Sequence, residues 1–142
     1  MKILRADTAI NLPIGPIVAV GDGYTRVNNL TLSGADVAEL IKHNATAVTD
    51  ISSNTITGYT GADGFYYIAL TAAQLDTEGQ LTLFIADDSL ILPYRQDMMV
   101  VNANVYDSLY AAAATDYLLV DVEQMNSATL LGNGTSGNKW RG

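Results

Sequence analysis

Apolar and polar residues alternate with a period of two in several stretches of the chain, and that spacing belongs to strands with one buried face. The clearest case is Gln80–Ala86, with Leu81, Leu83 and Ile85 on one side and Thr82 and Phe84 on the other. Phe65–Leu70 is filled by aromatic and β-branched residues and follows the turn Gly61-Ala62-Asp63-Gly64. Tyr94–Ala103 has an apolar centre at Met98–Val101. Thr46–Ile51 and Thr55–Tyr59 flank the polar turn Ser52-Ser53-Asn54, which predicts a hairpin. Leu30–Ser33 and Leu118–Val122 are further strand candidates, and Ile17–Val20 could pair at an edge. Asp36–His43 fits either a helical face or a strand, and the Thr, Val and turn residues around it favour a strand.

Two helical signals interrupt this pattern. Thr71–Asp76 reads as one turn capped by Thr71. The convincing helix covers 104–114, where four consecutive alanines have the highest helix propensity. Asn104 is its expected cap, with Asp107 three residues later as in a capping box. The first sixteen residues carry Pro13 and Pro16, which forbid a helix and remove two backbone donors. They are expected to form an extended arm.

About seven short strands at regular spacing, without alternating helices, predict a mainly β chain. The expected fold is an antiparallel, immunoglobulin-like β-sandwich with one short C-terminal helix and extended terminal arms. The expected divisions are an arm over 1–16, a sandwich over 17–122 that includes helix 104–114, and a polar tail over 123–142.

Composition narrows the function. The 142 residues include 15 acidic and 7 basic side chains, a net charge of -8. A nucleic-acid surface needs clustered Lys and Arg, and an anionic membrane surface needs the same, so neither partner is expected. Cysteine is absent, which excludes disulfides, thiol nucleophiles and thiolate metal sites. The opening Met1-Lys2-Ile3-Leu4-Arg5 has the charge of a signal peptide, but Asp7, Asn11, Pro13 and Pro16 break the apolar run behind it. Residence in the cytosol, or assembly there, is the expectation.

Catalytic constellations are missing. His43 is the single histidine, and no Gly-x-Ser-x-Gly elbow accompanies it. It reads as a surface residue near a strand end. Asp87-Asp88 and Asp76-x-Glu78 put carboxylates in turns, where calcium could bind through oxygen, but no run has EF-hand spacing. The glycine-rich Gly132–Gly137 lacks the Gly-Lys-Ser/Thr of a phosphate cradle. No enzyme activity and no cofactor or metal is expected. Eight tyrosines suit protein contacts, because each offers a large rigid surface with a polar tip. Tyr106 and Tyr110 lie four apart on the helix and share a face. Ile14 in the arm and Trp140, isolated in the tail, complete the set of candidate contact residues.

One long stretch carries a resemblance. It runs Asp63-Gly64-Phe65-Tyr66, then Leu70–Leu81, Leu92-Pro93-Tyr94, Met98-Met99-Val100 and Asn102–Leu109. Over roughly residues 60 to 122 it is similar to immunoglobulin-like modules among the virion structural proteins of tailed bacteriophages. The resemblance implies a non-enzymatic role in the virion, assembled in the host cytoplasm. A head decoration (cement) protein clamping the major capsid protein is the first expectation. A homo-oligomer is expected too, with trimers suited to threefold positions of a shell. A tail-associated adaptor or fibre-base module, or a sandwich that stacks Tyr and Trp on host carbohydrate, are the alternatives.

Overall fold

The structure, a computed structural model, describes residues 1–110 together with 124–125 and 128–129. Two sheets face each other across one apolar core, a β-sandwich. The larger sheet contains β1 (Lys2–Arg5), β3 (Val37–Ile41), β4 (Thr49–Asp50), β7 (Gly79–Asp87) and β8 (Ile91–Val101), in the order β1-β8-β7-β3-β4. The smaller contains β2 (Ile10–Ile14), β5 (Ile56–Gly58) and β6 (Tyr66–Leu70), in the order β2-β6-β5. Helix α1 (Ala103–Tyr110) follows β8, and β9 (Gln124–Met125) pairs antiparallel with β10 (Ala128–Thr129).

The core follows from the alternation. Leu81, Leu83 and Ile85 of β7, Ala38 and Leu40 of β3 and Met98 and Val100 of β8 are all buried. They belong to one cluster with Leu12 and Ile14 of β2 and Tyr66, Ile68 and Leu70 of β6. Leu4 of β1 and Ile91 of β8 join them, and further plugs come from connections. Ile17, Leu30, Leu32, Ile51 and Leu75 are buried as well.

The strand reading of Asp36–His43 holds, as β3. The turn after β6 is a 3-10 turn over Ala72–Leu75 with a full capping box, in which the Thr71 hydroxyl accepts from the Gln74 backbone and the Gln74 side chain accepts from the Thr71 backbone.

Several expectations are corrected. The segment 1–16 is not an arm, because β1 and β2 are woven into opposite sheets. Pro13 is accommodated because β2 is an edge strand, where a missing N–H faces away from the ladder. The sandwich is not wholly antiparallel, since β1 runs parallel to β8 with Lys2 opposite Met98 and Arg5 opposite Val101. The hairpin over 46–59 does not form. β4 belongs to the larger sheet and β5 to the smaller, and the connection crosses between them so that Ile51 can reach the core.

Leu30–Ser33 is no strand either. Leu30 and Leu32 drop into the core around a 3-10 turn at Leu32–Gly34. The long connection from β2 to β3 is held by Tyr66, whose hydroxyl donates to the Val27 carbonyl at 2.6 Å and accepts from the Leu30 N–H at 3.2 Å. At its near end Gly15 has φ +122, and a Cβ there would stand 2.7 Å from the Gly64 carbonyl oxygen.

Candidate interaction surface

Helix α1 is positioned by charge and by its cap. The Asn102 side chain, rather than that of Asn104, caps the first turn, accepting from the Asn104 backbone N–H at 2.9 Å. Asp107 is not drawn into capping and meets Arg5 of β1. The guanidinium donates from Nε at 2.8 Å and from an Nη at 2.7 Å, a two-point pairing of planar groups. Arg5 also donates to the Thr8 hydroxyl at 2.7 Å, so its side chain is fixed from two sides. The Arg5 guanidinium holds the Asp107 carboxyl below the usual carboxylate range.

Beside this pairing the helix has no buried residue. Val105, Tyr106, Leu109 and Tyr110 fall at spacings of one, three and one, which groups them on one helical face. The Tyr106 and Tyr110 rings lie 4.9 Å apart at 48°. Leu109 is 65% exposed and Tyr110 is 55% exposed. Leu109 and Tyr110 are thus exposed on a helix that an ion pair links to β1.

The four sequence-predicted contact residues separate on this framework. Tyr106 and Tyr110 come together. Ile14 is only 3% exposed and packs in the core, so it is withdrawn as a contact residue. The face of β2 that carries Leu12 turns inward, and alternation carries Ile14 with it. Trp140 and the helix positions after Tyr110 lie outside the described residues, as does the strand expected at Leu118–Val122.

Sequence reasoning missed a second aromatic group. Tyr59 and Tyr67 meet edge to face at 5.5 Å on the outer side of the smaller sheet, with the half-exposed Phe65 two residues before Tyr67. Alternation in Phe65–Leu70 signals it, because Tyr66 and Ile68 point inward and their neighbours must point out.

The groups weighed for chemistry do not assemble. His43 is exposed, beside a shallow depression of about 240 Å³ lined by Lys42, Asn44, Gln80 and Thr82. The Lys42 amine is engaged with Asp76 at 2.7 Å and the Ala73 carbonyl at 2.8 Å. Asp76 also accepts from Thr77, and Asp87 accepts from the backbone and hydroxyl of Ser89, so Asp87 serves its own turn and Asp76 ties its turn to Lys42. Among the described residues no three His, Asp or Glu side chains gather as metal ligands. No helix among them is long and apolar enough to cross a membrane.

No protein-family model matches the chain, and no curated protein matches it.

Proposed function

We propose that this chain is a virion structural protein of a tailed bacteriophage, acting by contact rather than by catalysis, and that it decorates the head by clamping the major capsid protein. The observation that carries the reading is the helix α1, with Leu109 and Tyr110 exposed and Asp107 tied to Arg5 of β1. A rigidly mounted apolar face suits a partner met in one orientation, because little ordering is left to do on binding.

Two further features support it. The stretch that resembles phage immunoglobulin-like modules supplies β6, the capped 3-10 turn, β7, β8 and the start of α1. The strand orders support the immunoglobulin-like part of the reading, since β8-β7-β3 would correspond to strands G, F and C and β2-β6-β5 to B, E and D. The usual hallmarks of antibody domains are absent here, since the chain has no cysteine and no Trp among the described strands.

The decisive experiment is the copy number of the chain in purified particles, by quantitative mass spectrometry against the major capsid protein. Hundreds of copies support head decoration. A dozen or so copies transfer the protein to the tail, and absence from particles removes the virion reading altogether.

A further inference from the structure

The outer face of the larger sheet has a charge pattern that the virion reading does not use. Cross-strand partners share a face, so Arg95 of β8, Phe84 of β7 and Glu39 of β3 form one row across the sheet. Their buried neighbours Leu83, Ile85 and Leu40 point the other way, which places this row outside. Strands are about 4.8 Å apart, so Arg95 and Glu39 stand roughly 10 Å apart with the half-buried Phe84 ring between them. Ile41, 44% exposed, and the half-buried Val37 flank the row on β3.

The two ends of the row carry opposite, incompletely met charge. Glu39 is paired across the strands with Asp50 of β4, two like charges directly opposite each other. Asp50 turns to its own turn, accepting from Ser52, and brings no cation to Glu39. At the other end the Arg95 side chain is 62% exposed and reaches Asp97 at 3.1 Å. Asp97 in turn accepts from the Thr82 hydroxyl at 2.6 Å, so its charge is shared.

We propose that this face binds a second copy of the same chain about a two-fold axis parallel to β7 through Phe84. In that arrangement β8 of one copy lies over β3 of the other. Arg95 of each copy then stands over Glu39 of its partner, twice by symmetry, and the Phe84 rings meet at the centre. The alternative two-fold axis, perpendicular to the strands in the same interface, places Arg95 over its own counterpart. The pattern is self-complementary about that axis, and in a chain of net charge -8 such local pairing of opposite charges is what lets two copies approach. A patch that meets itself closes at two copies, so the inference replaces the trimer expected from sequence with a dimer. It does not depend on the virion reading, because it concerns the free chain in solution.

Sedimentation equilibrium on the full chain tests it, with Arg95→Glu, Glu39→Arg and the double exchange. The wild type is expected to show a monomer–dimer equilibrium. Each single exchange sets like charges face to face twice and raises the dissociation constant by about tenfold or more. The double exchange restores the opposition and returns the constant to within about threefold of wild type. Glu39→Arg also faces Asp50 across the strands, so its urea midpoint stays level or rises, and lost association cannot be put down to lost folding. A wild type that is monomeric up to about 1 mM, a trimer, or a double exchange no better than the singles overturns the proposal. Any of these leaves the copy-number experiment unaffected.

Discussion

The Tyr66 hydroxyl and the Val27 carbonyl, 39 residues apart in sequence, are joined by a 2.6 Å hydrogen bond inside the core. Tyr66 is 3% exposed and Val27 is 6% exposed, so water does not compete at either end. The same oxygen accepts from Leu30, and it thereby fastens both sides of the long β2–β3 connection to β6. Removing only the hydroxyl, with Tyr66→Phe, strands a buried carbonyl and a buried N–H. The expected loss is about 1–3 kcal/mol of stability, read as a lower urea midpoint with an unchanged slope. A change under about 0.5 kcal/mol would mean that the connection is not held at this point.

Gly15 supplies a second test of the same region. At φ +122 an L side chain is strained, and its Cβ would stand 2.7 Å from a backbone oxygen that has no freedom to withdraw. Ile17 donates to that same Gly64 oxygen at 2.8 Å. Gly15→Ala is therefore expected to destabilise by about 1–3 kcal/mol, measured by thermal unfolding. Gly21→Ala is the control, because a Cβ there meets nothing within 4 Å.

Acid should unfold the chain through its paired carboxylates. Asp107 is held low by Arg5, Asp76 by Lys42, Asp22 by the Thr25 hydroxyl, Asp97 by the Thr82 hydroxyl and Asp50 by the Ser52 backbone N–H. A carboxylate whose pKa is lower folded than unfolded favours folding while ionised. That contribution is complete above the unfolded value, about 4, and is lost as pH falls through the lower folded value. Stability should therefore be level from neutral pH down to the ordinary carboxylate range and fall below it. Asp107→Asn should flatten part of that acid limb, in a series of urea midpoints against pH. An unchanged limb would show that the Arg5 pairing does not form in solution.

The exposed residues of α1 should behave in the opposite way. Leu109→Ala and Tyr110→Ala leave the core untouched, so stability should stay within about 0.5 kcal/mol of wild type. Under the decoration reading the same substitutions should abolish sedimentation of the chain with particles lacking their own copy. Retained co-sedimentation of both variants would remove α1 as the contact.

Much of the sandwich was legible because local alternation and burial agree. β6, β7 and the Thr71 cap lie where period and turn residues put them, and β3 resolved in favour of its flanking composition. The first sixteen residues were misread because two prolines outweighed a visible period of two at Ile10, Leu12 and Ile14. Proline forbids a central strand, not an edge strand, and sequence does not say which strand is an edge. The 46–59 hairpin failed for a related reason. Asn54 and Gln74 exchange hydrogen bonds of 2.8 and 3.0 Å, tying the sheet-crossing connection to the capped turn. Such a contact leaves no periodic trace. At the contact surface, the Tyr106–Tyr110 spacing was readable, whereas the Arg5–Asp107 pair spans 102 residues and has no local signal. The outward aromatic pair needed knowledge of which face of β6 was covered.

The parallel pairing of β1 with β8 has a consequence for synthesis. Ninety-six residues separate Lys2 from its partner Met98, a delay of about 5–20 s at ordinary translation rates. β1 is thus made long before its neighbour, and until the two meet the edge of β8 has no resident strand. A β1 from another nascent chain fits that edge equally well. Crowded polysomes should therefore favour chains that have exchanged their first strands, and slow, dilute synthesis should favour chains closed on themselves.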